Sequence, residues 1–269
     1  MPERPDLEYV VPILDRELRG RTIVGARSKK PMVLRAALGE IRGTIAGARR
    51  LAHCVVFPLG ERDLVVSPML AGRFQLDGKD TADLGLALDL DDGRTLRYRD
   101  DVAMGKVYLL PSGARPPGLE TVGVDVLSAA FTLPLFKALC AARRDQVKVF
   151  LMDKSALDAM GNAYADEVLW EAKIHPKRMV RRLTVAETTS LFHAIRTVLT
   201  SARDTIAARA PPLNEKLRDF LHVRGRKGEA CDRCGTTQRT TGVHGHDAYF
   251  CPTCQPDTGG KGIVDWRKL

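Results

Sequence analysis

The sequence predicts an α+β fold: a β-rich first half entered through one helix, a helical second half, and a small metal-bound β-hairpin near the C-terminal end. Three observations lead there. Short apolar runs punctuated by Gly, Asp and Pro recur before residue 125. Apolar residues then recur at helical spacing between residues 128 and 222. Four of the six cysteines fall in two Cys-x2-Cys pairs. At 269 residues the chain can bury one large or two small cores, and its 44% hydrophobic content argues against wholesale disorder.

The expected elements follow in chain order. Over residues 6–18, Leu7, Val10, Val11, Leu14 and Leu18 share one helical face. Pro12 lies inside that stretch, removes a donor and is a candidate kink. Val55-Val-Phe57, Leu64-Val-Val66, Gly72–Leu76, Leu86–Leu90, Thr95–Tyr98 and Val107–Leu110 then read as antiparallel strands of a β-sandwich or barrel. Pro111–Gly118 breaks regular structure before a linker. In the helical half, Asn162 is placed to cap a helix burying Ala165, Val168, Leu169 and Ala172. Gly161 before it permits close backbone approach, and His175-Pro176 ends the helix. Thr184 and Glu187 form a capping box ahead of the stripe Leu191, Ile195, Val198, Leu199, Ala202 and Ile206, which Pro211-Pro212 terminates.

Cys231-x2-Cys234 and Cys251-x2-Cys254 have the spacing of a four-thiolate zinc site. Gln238–Thr241 and Ala248–Phe250 are the expected strands between them, with Gly242 and Gly245 in the turn. Four thiolates fill every position around one Zn2+, so the ion would be structural. Two disulfides are the other option, but they need an oxidising compartment. Cys54 and Cys140 stand in apolar settings and read as buried thiols. The expected domains are 1–125, β-rich; 126–225, helical; 226–256, the zinc finger; and 257–269, a flexible tail.

Lys and Arg number 42 against 33 Asp and Glu, a formal charge of +9. That excess favours a polyanionic partner, nucleic acid first. No apolar run approaches the roughly 18 residues of a membrane span, and the first twenty residues lack the pattern of a signal peptide. A cytoplasmic protein is the expectation. Within Gln146–Pro176, a helix, a Gly-Asn turn and a second helix gather backbone N–H groups and the Asn162 amide at one helix start, where phosphate can bind. Lys148, Lys154 and Lys173 add charge. An ordinary helical hairpin with a solvated basic face is the plainer reading.

That passage resembles the helix–two-turn–helix motif of the formamidopyrimidine-DNA glycosylase and endonuclease VIII family. The start, Met1-Pro2-Glu3-Arg4-Pro5-Asp6-Leu7-Glu8, resembles the family's N-terminal Pro-Glu motif. The finger through Cys254, followed by Gln255, resembles its C-terminal zinc finger. The three motifs occur in the family's order and span essentially the whole chain. The resemblance implies a DNA-repair glycosylase, a nucleoid-associated monomer that excises damaged bases from duplex DNA, with AP lyase activity through a Schiff base. Pro2 would be the nucleophile once Met1 is removed, and Glu3 the general acid/base. A catalytically impaired binder of damaged DNA, or a monofunctional glycosylase for alkylated or crosslinked bases, are the alternatives.

The departures from the family pattern are informative. His53 falls where the family has a lysine after an early strand; a half-buried strand histidine is the other reading. His246 falls where the family has the finger arginine that grips phosphate; with His244 nearby, a pH-sensitive contact and a plain exposed histidine both remain open. The loop Tyr98–Gly105 replaces Arg-Arg-Phe-Gly with Val102-Ala103-Met104-Gly105, making Met104 the expected wedge and Leu70 or Met69 the second void filler. Asp6 replaces a glutamate, and Arg4 stands next to the nucleophile, as a pKa-lowering cation, a phosphate ligand or a plain ion pair. The expected DNA contacts are Lys148, Asn162, His246, Leu70 and Met104.

Overall fold

In a computed structural model of the chain, residues 3–158 and 160–257 are described. Pro2 and the expected tail beyond residue 257 lie outside them. The chain divides into two compact units. One holds the residues up to Thr121 together with Arg203–Leu217, and the other holds Val122–Ala202 with Arg218 onward.

The first unit starts with α1 (Arg4–Leu18), two residues earlier than the apolar spacing suggests. Pro5 stands in its first turn, where a missing N–H leaves no helix bond unmade. Pro12 is exposed and α1 continues through it. Ten strands follow: β1 (Thr22–Arg27), β2 (Leu34–Arg35), β3 (Gly43–Thr44), β4 (Arg49–Leu51), β5 (Cys54–Leu59), β6 (Arg62–Ser67), β7 (Arg73–Leu76), β8 (Leu84–Leu90), β9 (Thr95–Arg99) and β10 (Lys106–Pro111). They form two five-stranded sheets, ordered β3-β1-β8-β9-β7 and β2-β10-β6-β5-β4. Pairing is antiparallel except between β10 and β2.

Phe74, Leu86, Leu88, Leu96 and Tyr98 from one sheet share a core with Val55, Phe57, Leu64, Val66 and Val107 from the other, and Leu7, Val11, Leu14 and Leu18 of α1 join it. This is the expected sandwich with a leading helix. Each such side chain stabilises the fold by about 1.5–3 kcal/mol through burial. Tight turns set the register. Leu59 pairs with Arg62 across a two-residue turn that opens on Gly60, and the φ of +77° at Gly60 suits a primed hairpin.

The second unit contains β11 (Val124–Asp125), α2 (Leu133–Ala141), α3 (Val147–Met152), β12 (Leu157–Asp158), α4 (Asn162–Glu171) and most of α5 (Val185–Arg209), then β13 (Arg239–Val243) and β14 (His246–Phe250). Its core gathers Phe131, Phe136, Phe150, Tyr164, Val168, Leu169, Leu191, Ile195 and Leu199. The Thr184–Glu187 box forms reciprocally: Thr184 N–H donates to Glu187 Oε2 at 2.7 Å, and Glu187 N–H to Thr184 Oγ1 at 3.1 Å. The finger hairpin turns at His244 and Gly245, both with positive φ. Gly242, expected in the turn, is instead a strand residue paired with Asp247. No described helix is long and apolar enough to cross a membrane.

Candidate active site and metal centre

Glu3 caps α1 and is 5% exposed. Its N–H donates to Asp6 Oδ2 at 2.8 Å, while Asp6 N–H donates to the Glu3 carboxylate. The shorter Asp6 thus still completes a capping box, and it fixes the direction in which Glu3 leaves the helix start. Arg4 is buried and pairs with Glu8 at 2.9 Å. The ion-pair role open to Arg4 therefore has its partner in Glu8. His53 occupies the two-residue turn between β4 and β5, after Ala52 with φ +51°, and is 8% exposed.

Two loops present the residues expected to form the apolar wedge. One joins β6 to β7 and the other joins β9 to β10. Ser67 pairs with Lys106 and Arg73 with Arg99, so the loops start and finish side by side. Leu70, Val102 and Met104 are exposed, unusual for large apolar side chains. Both loops are held firmly beneath these tips. Gly72 N–H donates to Pro68 O at 2.8 Å, and a Cβ on Gly72 would lie 2.1 Å from that oxygen. Asp100, fully buried, accepts from Ala103 N–H at 2.9 Å, Gly105 N–H at 2.6 Å and the Tyr98 hydroxyl at 3.2 Å. Burial, with the Asp100 carboxylate adding to it, pushes the Tyr98 phenol far above its ordinary range and keeps it a donor. Lys216 Nζ donates to Leu70 O at 3.2 Å, and Lys30 Nζ to Asp101 O at 2.6 Å.

Asp100 is absent from the sequence-based site, although an acid directly before a wedge loop is a usable signal. A Cβ on Gly105 would fall 1.8 Å from Tyr98 Oη and 2.9 Å from Ser67 O. Gly105→Ala is therefore expected to lower stability by about 1–3 kcal/mol through overpacking, read as a lower urea midpoint.

In the second unit, Asn162 is the first residue of α4, and Gly161 takes the cap position expected for it. From one residue further in, the side chain does not cap. Its Oδ1 is enclosed without a hydrogen-bond partner among the described residues. Lys148 requires a correction. It is fully buried, its Nζ 2.5 Å from Asp166 Oδ1 and donating to Asp247 O at 2.7 Å. An ammonium enclosed against a carboxylate is not a surface phosphate contact. Arg224 joins the same group, 3.0 Å from Asp166 Oδ2 and 3.1 Å from Asp247 O. Glu167, next along α4, accepts N–H bonds from His222, Val223 and Arg224 at 2.8–2.9 Å. The helix thereby holds both the approach to the finger and the hairpin tip, where His244 and His246 are exposed.

The sulfurs of Cys231, Cys234, Cys251 and Cys254 all lie within 4.8 Å of one another. Cys231 and Cys254 are 4.0 Å apart, and Cys234 and Cys251 3.5 Å. A tetrahedral Zn2+ with bonds of about 2.3 Å places its sulfurs about 3.8 Å apart, so the donor set fits. Hydrogen bonds from Thr236 bring the Cys234 thiol down to about 6, while burial pushes Cys254 up to about 12. A divalent cation overrides that difference by holding every ligand as thiolate. Cys54 and Cys140 are buried and are not members of this cluster, as their apolar neighbours suggest, and burial pushes Cys140 up to about 12.

Family models match the chain in three stretches. The formamidopyrimidine-DNA glycosylase N-terminal domain matches residues 1–107, its H2TH domain residues 122–209, and the zinc finger found in FPG and IleRS residues 228–256. The chain is 33% identical to the formamidopyrimidine-DNA glycosylase of Chloroflexus aurantiacus, covering 95% of this chain and 98% of that one. It is 34% identical to that of Symbiobacterium thermophilum, covering 99% and 93%. Among solved structures it is similar to Lactococcus lactis Fpg in complex with DNA containing an abasic site. The TM-score is 0.85 at 25% identity, covering 94% of this chain and 99% of that one.

Proposed function

Because the chain belongs to the formamidopyrimidine-DNA glycosylase family, we propose that it excises damaged bases from duplex DNA through an N-terminal proline Schiff base. The family's enzymes are DNA glycosylases and AP lyases of base-excision repair. The observation that carries the finer reading is Glu3: an enclosed carboxylate at the head of α1, held by Asp6 and one residue after the proline. With Met1 removed, the Pro2 nitrogen attacks the sugar carbon that bears the damaged base. A nitrogen–carbon bond forms as the bond to the base breaks, and the base departs with a proton. The bond from that carbon to the ring oxygen then breaks, the oxygen taking up a proton as the proline nitrogen gives up its own, and the iminium so formed acidifies the neighbouring sugar carbon, whose proton is lost as the strand phosphate leaves. Glu3 serves these proton transfers as general acid/base. A terminal amine with an ordinary pKa near about 8 retains enough free base for this at neutral pH.

His53 in the β4–β5 turn is a proton shuttle or phosphate partner near that reaction. Asn162 and His246 hold backbone phosphates, and the +9 charge supplies the rest of the non-specific grip. The protein acts as a monomer at the nucleoid. Its lesion range is shifted toward bulky, alkylated or crosslinked bases, a reading that rests on the replaced Lys and Arg positions.

Leu70 and Met104 fill the gap left by the flipped nucleotide. Neither they nor Val102 and Ala103 offer a side-chain hydrogen bond to the orphaned base. A bidentate base contact is worth about 1–3 kcal/mol of discrimination. Excision rates from lesion-bearing duplexes with each of the four opposite bases are therefore expected to agree within about tenfold. A stronger preference for one opposite base would overturn the apolar-wedge reading. Release of no base across a broad lesion panel, with tight binding retained, would favour a damaged-DNA binder instead.

A further inference from the structure

The indole of Trp170, near the end of α4, has no part in the chemistry above, yet it is held more closely than packing alone requires. The His222 ring stacks on it, with the two ring centroids 4.4 Å apart and the planes 14° from parallel. The Arg233 guanidinium carbon lies 3.8 Å from an indole ring centroid. Arg233 also donates to Trp170 O at 2.8 Å and pairs with Glu171 at 2.9 Å. The ring plane is thus fixed, and with it the direction of the single N–H an indole can donate. That donor, Nε1, is 3.5 Å from Cys231 Sγ, one of the four clustered sulfurs.

We propose that Trp170 is a positioning residue of the metal centre. Its N–H donates to the Cys231 sulfur, holds it in the orientation of a zinc ligand, and slows loss of the ion. The hydrogen bond joins the first knuckle to α4, the helix whose first residue is Asn162. Outer-shell donors of this kind fix the direction of a ligand's lone pairs and stabilise its charge. Trp170→Phe would keep an aromatic ring beside His222 and Arg233 while removing the N–H together with one ring of the indole.

The test uses the full chain. Zinc transfer to excess 4-(2-pyridylazo)resorcinol is followed by absorbance for the parent and for Trp170→Phe. Release is expected to be about 10–100-fold faster in the variant. The same two proteins loaded with Co2+ give a second reading. Losing a hydrogen bond raises the energy of the sulfur lone pair, so the thiolate-to-cobalt charge-transfer band should move to longer wavelength. Unchanged release would overturn the proposal. Faster release with an unmoved band would also overturn it, since the ring would then act by packing alone. Should Trp170→Phe fail to fold, benzothienylalanine placed at position 170 keeps the shape without the N–H, and the same two outcomes decide.

Discussion

Replacing Pro2 with Gly should abolish the covalent adduct that borohydride fixes between this chain and abasic-site DNA. The adduct forms only if the amine attacks the sugar carbon and loses water to give an imine or iminium, which borohydride then reduces. Glycine still supplies an amine, but a primary one without the ring that fixes its torsion. Misplacing a reacting atom by about 1 Å costs on the order of 100-fold, so the trapped product should fall by at least about that factor. Glu3→Gln separates the proton-transfer role from the nucleophile. It keeps the size of the side chain and an oxygen to accept from Asp6 N–H, while removing the acid. Base release should drop by about 100- to 10,000-fold with binding to abasic DNA retained. Mass spectrometry of the trapped species should place the mass on the peptide beginning at Pro2. An undiminished adduct in Pro2→Gly, or a mass on a lysine, would sink the proline mechanism.

Legibility in the sequence follows the length and regularity of each signal. The strands β5 to β10 and the stripe of α5 are readable because several periods of one pattern repeat there, whereas the two-residue β11 and β12 are not. Nor are β1 to β4. Three of them are two or three residues long, and β1 contains Gly25 beside a shift of register against β8. β1, β2 and β3 depend on partners distant in the chain, whereas β4 is a three-residue arm of the hairpin it forms with β5. Asn162 shows the same limit on a smaller scale: the helix start is visible, and the cap falls one residue earlier. The four cysteines are the most legible feature, because metal geometry narrows the allowed spacing. Lys148 reads as solvated charge and is not. Its neighbours Val147, Val149, Phe150 and Leu151 are the available signal, since a lysine inside an apolar run is usually buried with a partner. What the run does not disclose is which acid that partner is. Asp166 lies 18 residues away on another helix.

The Lys148–Asp166 pair leads to the second large effect. Asp166→Asn would leave the Lys148 ammonium fully buried without its carboxylate, and breaking such a pair costs about 3–5 kcal/mol. Lys148→Met should cost less, because Asp166 keeps Arg224 at 3.0 Å. A double variant, Lys148→Met with Asp166→Leu, removes both charges and should be more stable than Asp166→Asn alone. Urea unfolding of the three gives the ordering, and an Asp166→Asn protein as stable as its parent would refute it. DNA binding then distinguishes positioning from direct contact. Lys148 and Arg224 both donate to Asp247 O, beside His246 at the hairpin tip, so loosening them should weaken the grip. Removing one phosphate partner from the protein surface would lower the slope of log affinity against log salt by about 0.9. Lys148→Met touches no phosphate, so its affinity should fall while that slope stays at the parent value. A slope lowered by that full amount would return Lys148 to the DNA surface and undo the assignment of the buried pair.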